Sequence, residues 1–306
     1  MFNWFFRRRR GAPVETTQEL KGQQAPANES HHMLGGRRHV ADAPYVLPAN
    51  DQEINRLDFQ HYMLRYALRG NYVAPLDRPL SILDVGCGTG RWALEMGALF
   101  PQANIVGIDL HPPKHADSTA SAGRSDNFTF IQGNILNGLP FADASFDFVH
   151  MRLMLFSIPA ADWPTVLQEL VRVTRVGGWV ESVETGAHQR CGPAMELLVA
   201  WINQMTRQHG IDATLGPQVG EMLGALGLTQ QVRRTIELPV GRHGGRLGAM
   251  AQTDVVGVLN GLKAPVAALG ITSAADYETA LATALAELDL HRGVLPFYVA
   301  YGQRVR

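Results

Sequence analysis

A chain of 306 residues with net charge −1, 46% hydrophobic and 18% charged, is long enough for one large core with insertions. Its near-neutral balance excludes a whole-chain basic footprint for nucleic acid. No apolar run approaches the ~20 residues of a membrane span, and the 2 cysteines, Cys87 and Cys191, offer neither a disulfide framework nor zinc-ligand spacing. A reducing, cytoplasmic setting is the expectation.

The stretch 1–44 reads as an unstructured tail, rich in Gln, Gly, Pro, Ser and His without periodicity. Its start, MFNWFFRRRR, lacks the apolar segment of a secretory signal. Two readings of it stand: a weak contact with an anionic membrane surface, or a simply solvated terminus. From Tyr45 order is expected, with Leu57, His61, Leu64 and Leu68 at helical spacing and Gly70 ending the helix ahead of Pro75.

Ser81 to Val85 then reads as a buried strand running into Gly86, Gly88 and Gly90, with a helix opening at Arg91. Alternate glycines carry no Cβ toward a ligand and reach positive φ, so something approaches the main chain closely. In a dinucleotide fold the third glycine falls three residues after the second, inside the helix; here that position is Arg91. Instead a carboxylate, Asp84, precedes the first glycine by two, placed to face an ammonium rather than a pyrophosphate. Cys87 in the loop is read as a small residue rather than a nucleophile. The pattern resembles motif I of the class I S-adenosylmethionine-dependent methyltransferases.

A helix to Phe100, stopped by Pro101, is followed by an apolar strand closing on Asp109. A carboxylate there, about 20 residues past the glycines, is placed to accept hydrogen bonds from both hydroxyls of a ribose, with Leu110 beside it. A third strand, Phe128 to Gln132, leads to Asn134 and Ile135, where the resemblance implies contact with the adenine edge. Most of the family has Asp where this chain has Asn134, whose amide both donates and accepts. A fourth strand ends at His150, a helix follows over Asp162 to Val173, and Gly177 and Gly178 turn into a fifth strand ending at Glu184. Alternating strands and helices predict an α/β, Rossmann-like fold: a seven-stranded, mostly parallel sheet with helices on both faces.

The leader helix, with FDFVHMRLM at Phe146 to Met154, Trp163-Pro164 and GGWVES, is similar to a methyltransferase subgroup that includes fungal regulators of secondary metabolism and bacterial relatives. The resemblance covers Tyr45 to Glu184 and implies a domain over 45–306 that uses S-adenosylmethionine. In the subgroup the leader helix packs over the cofactor cleft, which brings Arg56, His61 and Tyr62 toward cofactor or substrate. His150 is the first candidate for a base, with a structural histidine as the other reading. Glu184 points toward the same site. Cofactor contacts fall to Asp84, Gly86, Cys87, Gly88, Gly90, Asp109, Leu110, Asn134, Ile135 and His150. Arg152 pairs either with an anionic substrate or with a carboxylate of the fold.

Beyond Glu184, insertions at about 186–215 and 243–292 are expected to form a lid, with helices at Pro193 to Gln208, Leu247 to Leu262 and Ala274 to Leu290, the last capped by Ser273. A lid suits a small or medium apolar acceptor. The Asn/Asp-Pro-Pro-Tyr signature of amino-methylating nucleic-acid enzymes is missing after the fourth strand, which argues against nucleic acid. No catechol-type magnesium cluster is evident, so metal independence is expected. Two functions remain: methyl transfer to O, C or N of a small molecule, or a regulator or protein methyltransferase acting through protein partners.

Overall fold

The computed structural model describes residues 31–34, 36–40, 47–48, 50–112 and 126–306. The expectations for Met1 to Arg10 lie outside these residues. Part of the stretch expected to be unstructured is a hairpin, β1 (His31–Leu34) and β2 (Arg37–Val40), paired antiparallel. Gly36 turns it at φ 75, a conformation that favours glycine; the segment is too short for periodicity to have signalled it.

The leader helix α1 (Asp51–Leu68) is capped by Asn50, whose side chain accepts from the Glu53 amide at 2.9 Å. It ends one residue before Gly70, Arg69 itself taking the left-handed cap at φ 60. The core follows as β3 (Ser81–Val85), α2 (Arg91–Leu99), β4 (Asn104–Asp109), β5 (Phe128–Gln132), β6 (Phe146–Arg152), α3 (Trp163–Val173) and β7 (Thr174–Thr185). Then come α4 (Pro193–Gln208), α5 (Gly216–Gly224), β8 (Thr229–Pro239), α6 (Gly245–Ala268), α7 (Ala274–His291) and β9 (Val294–Gln303). The predicted turn at Gly177 and Gly178 is instead an irregularity inside β7, where a Cβ on Gly178 would lie 2.8 Å from the Asp147 carbonyl oxygen.

The seven-stranded sheet has the order β5-β4-β3-β6-β7-β9-β8. Its first five strands are parallel, and β9 runs antiparallel between β7 and β8. Strand order reverses between β3 and β6, so the crevice beyond their carboxyl ends is where an open α/β sheet binds ligands. One face packs Ile82, Phe148 and Trp179 under Trp92 and Met96 of α2. The other packs Leu83, Val149 and Met151 under Trp163, Leu167 and Leu170 of α3. A third apolar cluster joins α1, α4, α6 and α7 to β9 through residues such as Met63, Leu198, Leu259 and Tyr277. Its helices α4, α6 and α7 lie in the two stretches expected as insertions. Ser273 caps α7 as expected, accepting from the Asp276 amide at 3.0 Å.

Candidate active site

The glycine loop leaves β3 with Gly86, Gly88 and Gly90 at φ 70, 53 and 75. The amides of Gly86, Cys87, Gly88 and Gly90 are used internally. Gly86 and Cys87 donate to the Ile108 carbonyl at 2.8 and 3.2 Å, Gly90 donates to Cys87 at 2.9 Å, and Gly88 donates to Asp109 Oδ2 at 2.8 Å. A phosphate cradle needs its amides free, so this loop suits a ligand without phosphate. Among the described residues, a Cβ on Gly88 would meet no atom within 4 Å, so none of them closes that side of the loop. On Gly86 it would come within 2.3 Å of Met154 Sδ, so the methionine lies over that residue.

Asp109 accepts from Gly88 and, at 3.3 Å, from the His111 amide. A carboxylate has about four acceptor positions, which leaves room for the two hydroxyls of a ribose. Burial pushes its carboxyl above the ordinary value, against the amide bonds that lower it. Leu110 is partly buried and its carbonyl accepts from Gln132 at 2.9 Å. Asn134 spends its oxygen capping a short turn, accepting from the Leu136 amide at 3.0 Å. Any role toward an adenine therefore falls to its NH2. Ile135 and Cys87 are both buried, with burial and the carboxylates of Asp109 and Asp84 holding the thiol well above its usual range. These features accommodate a sulfonium nucleoside, whose methyl carbon is activated toward nucleophiles by the sulfonium itself.

Asp84 and His150 are register partners across β3 and β6, and His150 and Glu181 across β6 and β7. Their side chains make one buried row. His150 Nδ1 lies 3.2 Å from Asp84 and Nε2 3.9 Å from Glu181, and the ring stacks on Trp92 at 4.0 Å. At 1% exposure His150 does not line the cavity described below. Its Asp84 partner, expected to face an ammonium, is tied to this row. Glu181, which sequence reasoning missed, also accepts the Val73 and Ala74 amides at 2.8 and 2.7 Å. A charged residue between inward-facing Trp179 and Val183 was the signal that could have found it.

Glu184, expected as a catalytic group, is buried and accepts the Met154 and Leu155 amides at 3.0 and 3.2 Å. Burial pushes its carboxyl up to about 8. It anchors the turn that follows β6, which starts with Leu153 at φ 56. Leu153 and Leu155 line a cavity of about 150 Å³, while Met154 between them covers Gly86. Glu184 thus sets the spacing between the glycine loop and the cavity. Glu184→Ala is expected to lower stability by about 2 to 4 kcal/mol, since two buried amides lose their acceptor, and Glu184→Gln by less than half of that. Urea unfolding of the three proteins checks this.

The cavity lies between the ends of β6 and β7 and helices α1, α4 and α6. It is lined mainly by apolar side chains, among them Val199, Ile202, Val255, Val258, Leu259 and Phe297. Arg56 reaches it but is held by Glu53 and, at 2.6 Å, by Asp254 of α6, which also accepts from Gln60 at 2.9 Å. A buried, neutralised guanidinium is poorly placed to recognise an anion. His61 lies below, its Nδ1 2.9 Å from Arg152 and its Nε2 3.2 Å from Glu95 of α2. Burial, with the Arg152 charge, pushes the imidazole down to about 4. Arg152 is thus bonded to a histidine of the fold, where a carboxylate of the fold or an anionic substrate was expected. Tyr62 is 39% exposed and stacks with Arg65 and Arg91, away from the cavity. Among the described residues there is no His, Cys, Asp and Glu cluster able to hold a metal, and no helix is long and apolar enough to cross a membrane.

Comparison with known proteins agrees with this geometry. Residues 82–178 match the model of a methyltransferase domain. The chain belongs to the S-adenosylmethionine-dependent methyltransferases. It is 30% identical over 243 residues to methyltransferase str2 of Strobilurus tenacellus, covering 75% of this chain and 85% of that one. To N-methyltransferase sirN of Leptosphaeria maculans it is 29% identical over 280 residues, covering 87% and 97%. The secondary metabolism regulator laeA of Monascus pilosus is 30% identical over 183 residues, covering 59% of this chain and 46% of the regulator.

Proposed function

We propose that this enzyme methylates a small, largely apolar acceptor held in the cavity beneath α1, α4 and α6. The observation that carries this reading is the mainly apolar pocket of about 150 Å³, which starts on the turn next to the glycine loop. A cavity of that size accepts a single ring. In this reading Asp109 holds the ribose, Gly86 to Gly90 pass close to the cofactor's main body, and the NH2 of Asn134 meets the adenine. His150 and Asp84 keep the base of the cleft rigid instead of moving a proton. The lid helices exclude water and align the acceptor, the main contribution a protein makes when the donor is already activated. The N-methyltransferase activity named for sirN supports a small acceptor, and nitrogen is one of the atoms to test.

Transfer of tritium from labelled S-adenosylmethionine into pooled small aromatic alcohols and amines, compared with a pool of proteins, tests this. Label is expected in the small-molecule pool. Val258→Trp, which fills much of the cavity, is expected to cut that transfer at least tenfold while leaving S-adenosylhomocysteine binding within about twofold. Label appearing only in protein would overturn the reading and favour a protein acceptor.

A further inference from the structure

The polar groups on the cavity wall differ in how much bonding capacity they keep. Arg56, Asp254 and Gln60 are bonded to one another. The Thr185 hydroxyl leans on the Gly186 carbonyl at 3.4 Å. Asn203 of α4 lines the cavity and also makes no side-chain hydrogen bond among the described residues, but it sits on a helix, half-buried beside an exposed neighbour. His188 differs in being set on a loop tied down on both sides. It follows β7 by three residues and lines the cavity, yet it has no hydrogen bond or ion pair among the described residues. Its backbone is fixed on both sides. The Gly186 amide donates to Pro296 at 3.0 Å, and Gln189 and Val294 exchange two hydrogen bonds of 2.9 Å. A side chain set between two such anchors is held without spending its own ring nitrogens, which suits a group reserved for a ligand.

We propose that His188 is the specificity-determining anchor of this cavity, receiving an O–H or N–H from an uncharged acceptor whose apolar body fills the space among Val199, Val258 and Leu259. The inference rests on the reading of the cavity as the acceptor site. Enclosure by apolar side chains pushes the imidazole down to about 4, so at neutral pH it is uncharged, with one nitrogen free to accept. The same shift makes it a weak base. Its role is to orient the nucleophile toward the turn at Met154, and selectivity follows from chemistry. A molecule of equal shape without a donor leaves the ring nitrogen buried and unpaired, which is a larger discrimination than shape alone provides.

The test uses the full chain saturated with S-adenosylhomocysteine and two probes of matched shape, 4-fluorophenol and 4-fluorotoluene, titrated by fluorine NMR. His188→Leu is expected to weaken the phenol about tenfold, the equivalent of one neutral hydrogen bond, with the toluene unchanged or tighter. His188→Gln, which restores an acceptor, is expected to recover most of the loss. Equal effects of His188→Leu on both probes, or no recovery by His188→Gln, would overturn the assignment of His188 while leaving the cavity intact. If neither probe binds the wild-type protein, or Val258→Trp leaves both affinities unchanged, the acceptor-cavity reading falls first and this proposal with it.

Discussion

Gly88→Leu is expected to leave the protein folded and to reduce affinity for S-adenosylmethionine and S-adenosylhomocysteine at least hundredfold, a loss of about 2.7 kcal/mol. The two effects separate because of what surrounds Gly88. A Cβ there meets no atom of the described residues within 4 Å, so the added side chain displaces none of them. The cost to stability is that of an L-residue at φ 53, about 1 to 2 kcal/mol, or a fall in melting temperature of roughly 2 to 3 °C for a chain of this size. The side chain occupies the open side of the loop, where the cofactor would lie against the main chain. Gly86→Leu is the contrasting case: its side chain collides with Met154 and perturbs the turn that Glu184 holds. Calorimetry and thermal melting of Gly88→Leu check both halves. A variant that melts within this range and still binds the cofactor at wild-type affinity would show that the open side of the loop is not the cofactor's place.

Acid is expected to destabilise the fold through its buried neutral histidines, and His188→Leu isolates one contribution. The native imidazole titrates near 4 against an ordinary value of 6.5. Between those two pH values the unfolded chain binds a proton there that the native protein does not. Native stability therefore falls as pH drops from 6.5 to 4, by at most about 3 kcal/mol for this group; the ring keeps some exposed surface, so the measured figure is expected below that limit. His61, also near 4, adds a term of the same sign. Glu184 acts oppositely. Its carboxyl, raised to about 8, binds a proton in the native state that the unfolded chain has lost, so its contribution fades as pH rises from 4.5 to 8. Comparing urea unfolding of wild type and His188→Leu at pH 7.5, 6 and 5 removes the shared terms. The variant is expected to gain on the wild type steadily as pH falls. A pH-independent difference would mean that the imidazole is solvated.

Much of the sheet and the glycine loop at its edge could be read from the chain because the information is local. The strand before Gly86, the spacing from Asp84 to Gly90 and the carboxylate at Asp109 each lie within one continuous segment. The inserted helices α4 and α7 announce themselves by periodicity and, for α7, by the Ser273 cap. What could not be read is pairing across the chain. Arg56 meets Asp254 across 198 positions, and His61 meets Glu95 and Arg152 on two other elements. Without these partners Arg56 and Arg152 look like free cations facing a substrate, whereas both are buried and bonded. The strongest overlooked signals are carboxylates inside apolar patterns. Asp254 interrupts the buried face of α6 next to Val255, and Glu181 sits on the inward side of β7. An ionised group in such a place needs a partner, so each carboxylate implies a buried polar network around it. His188 carried no local signal, because its fixed position comes from β9, which lies more than a hundred residues further along the chain.

The most direct test of the account is calorimetric binding of S-adenosylhomocysteine to the wild-type protein and to Asp109→Ala. Asp109 fixes the Gly88 amide and, in this account, receives the ribose hydroxyls through charge-assisted hydrogen bonds of about 1.5 to 3 kcal/mol each. Binding by the wild type and at least tenfold weaker binding by the folded variant is the result expected. A folded Asp109→Ala protein that binds as tightly as the wild type, or a wild-type protein that does not bind at all, would contradict it.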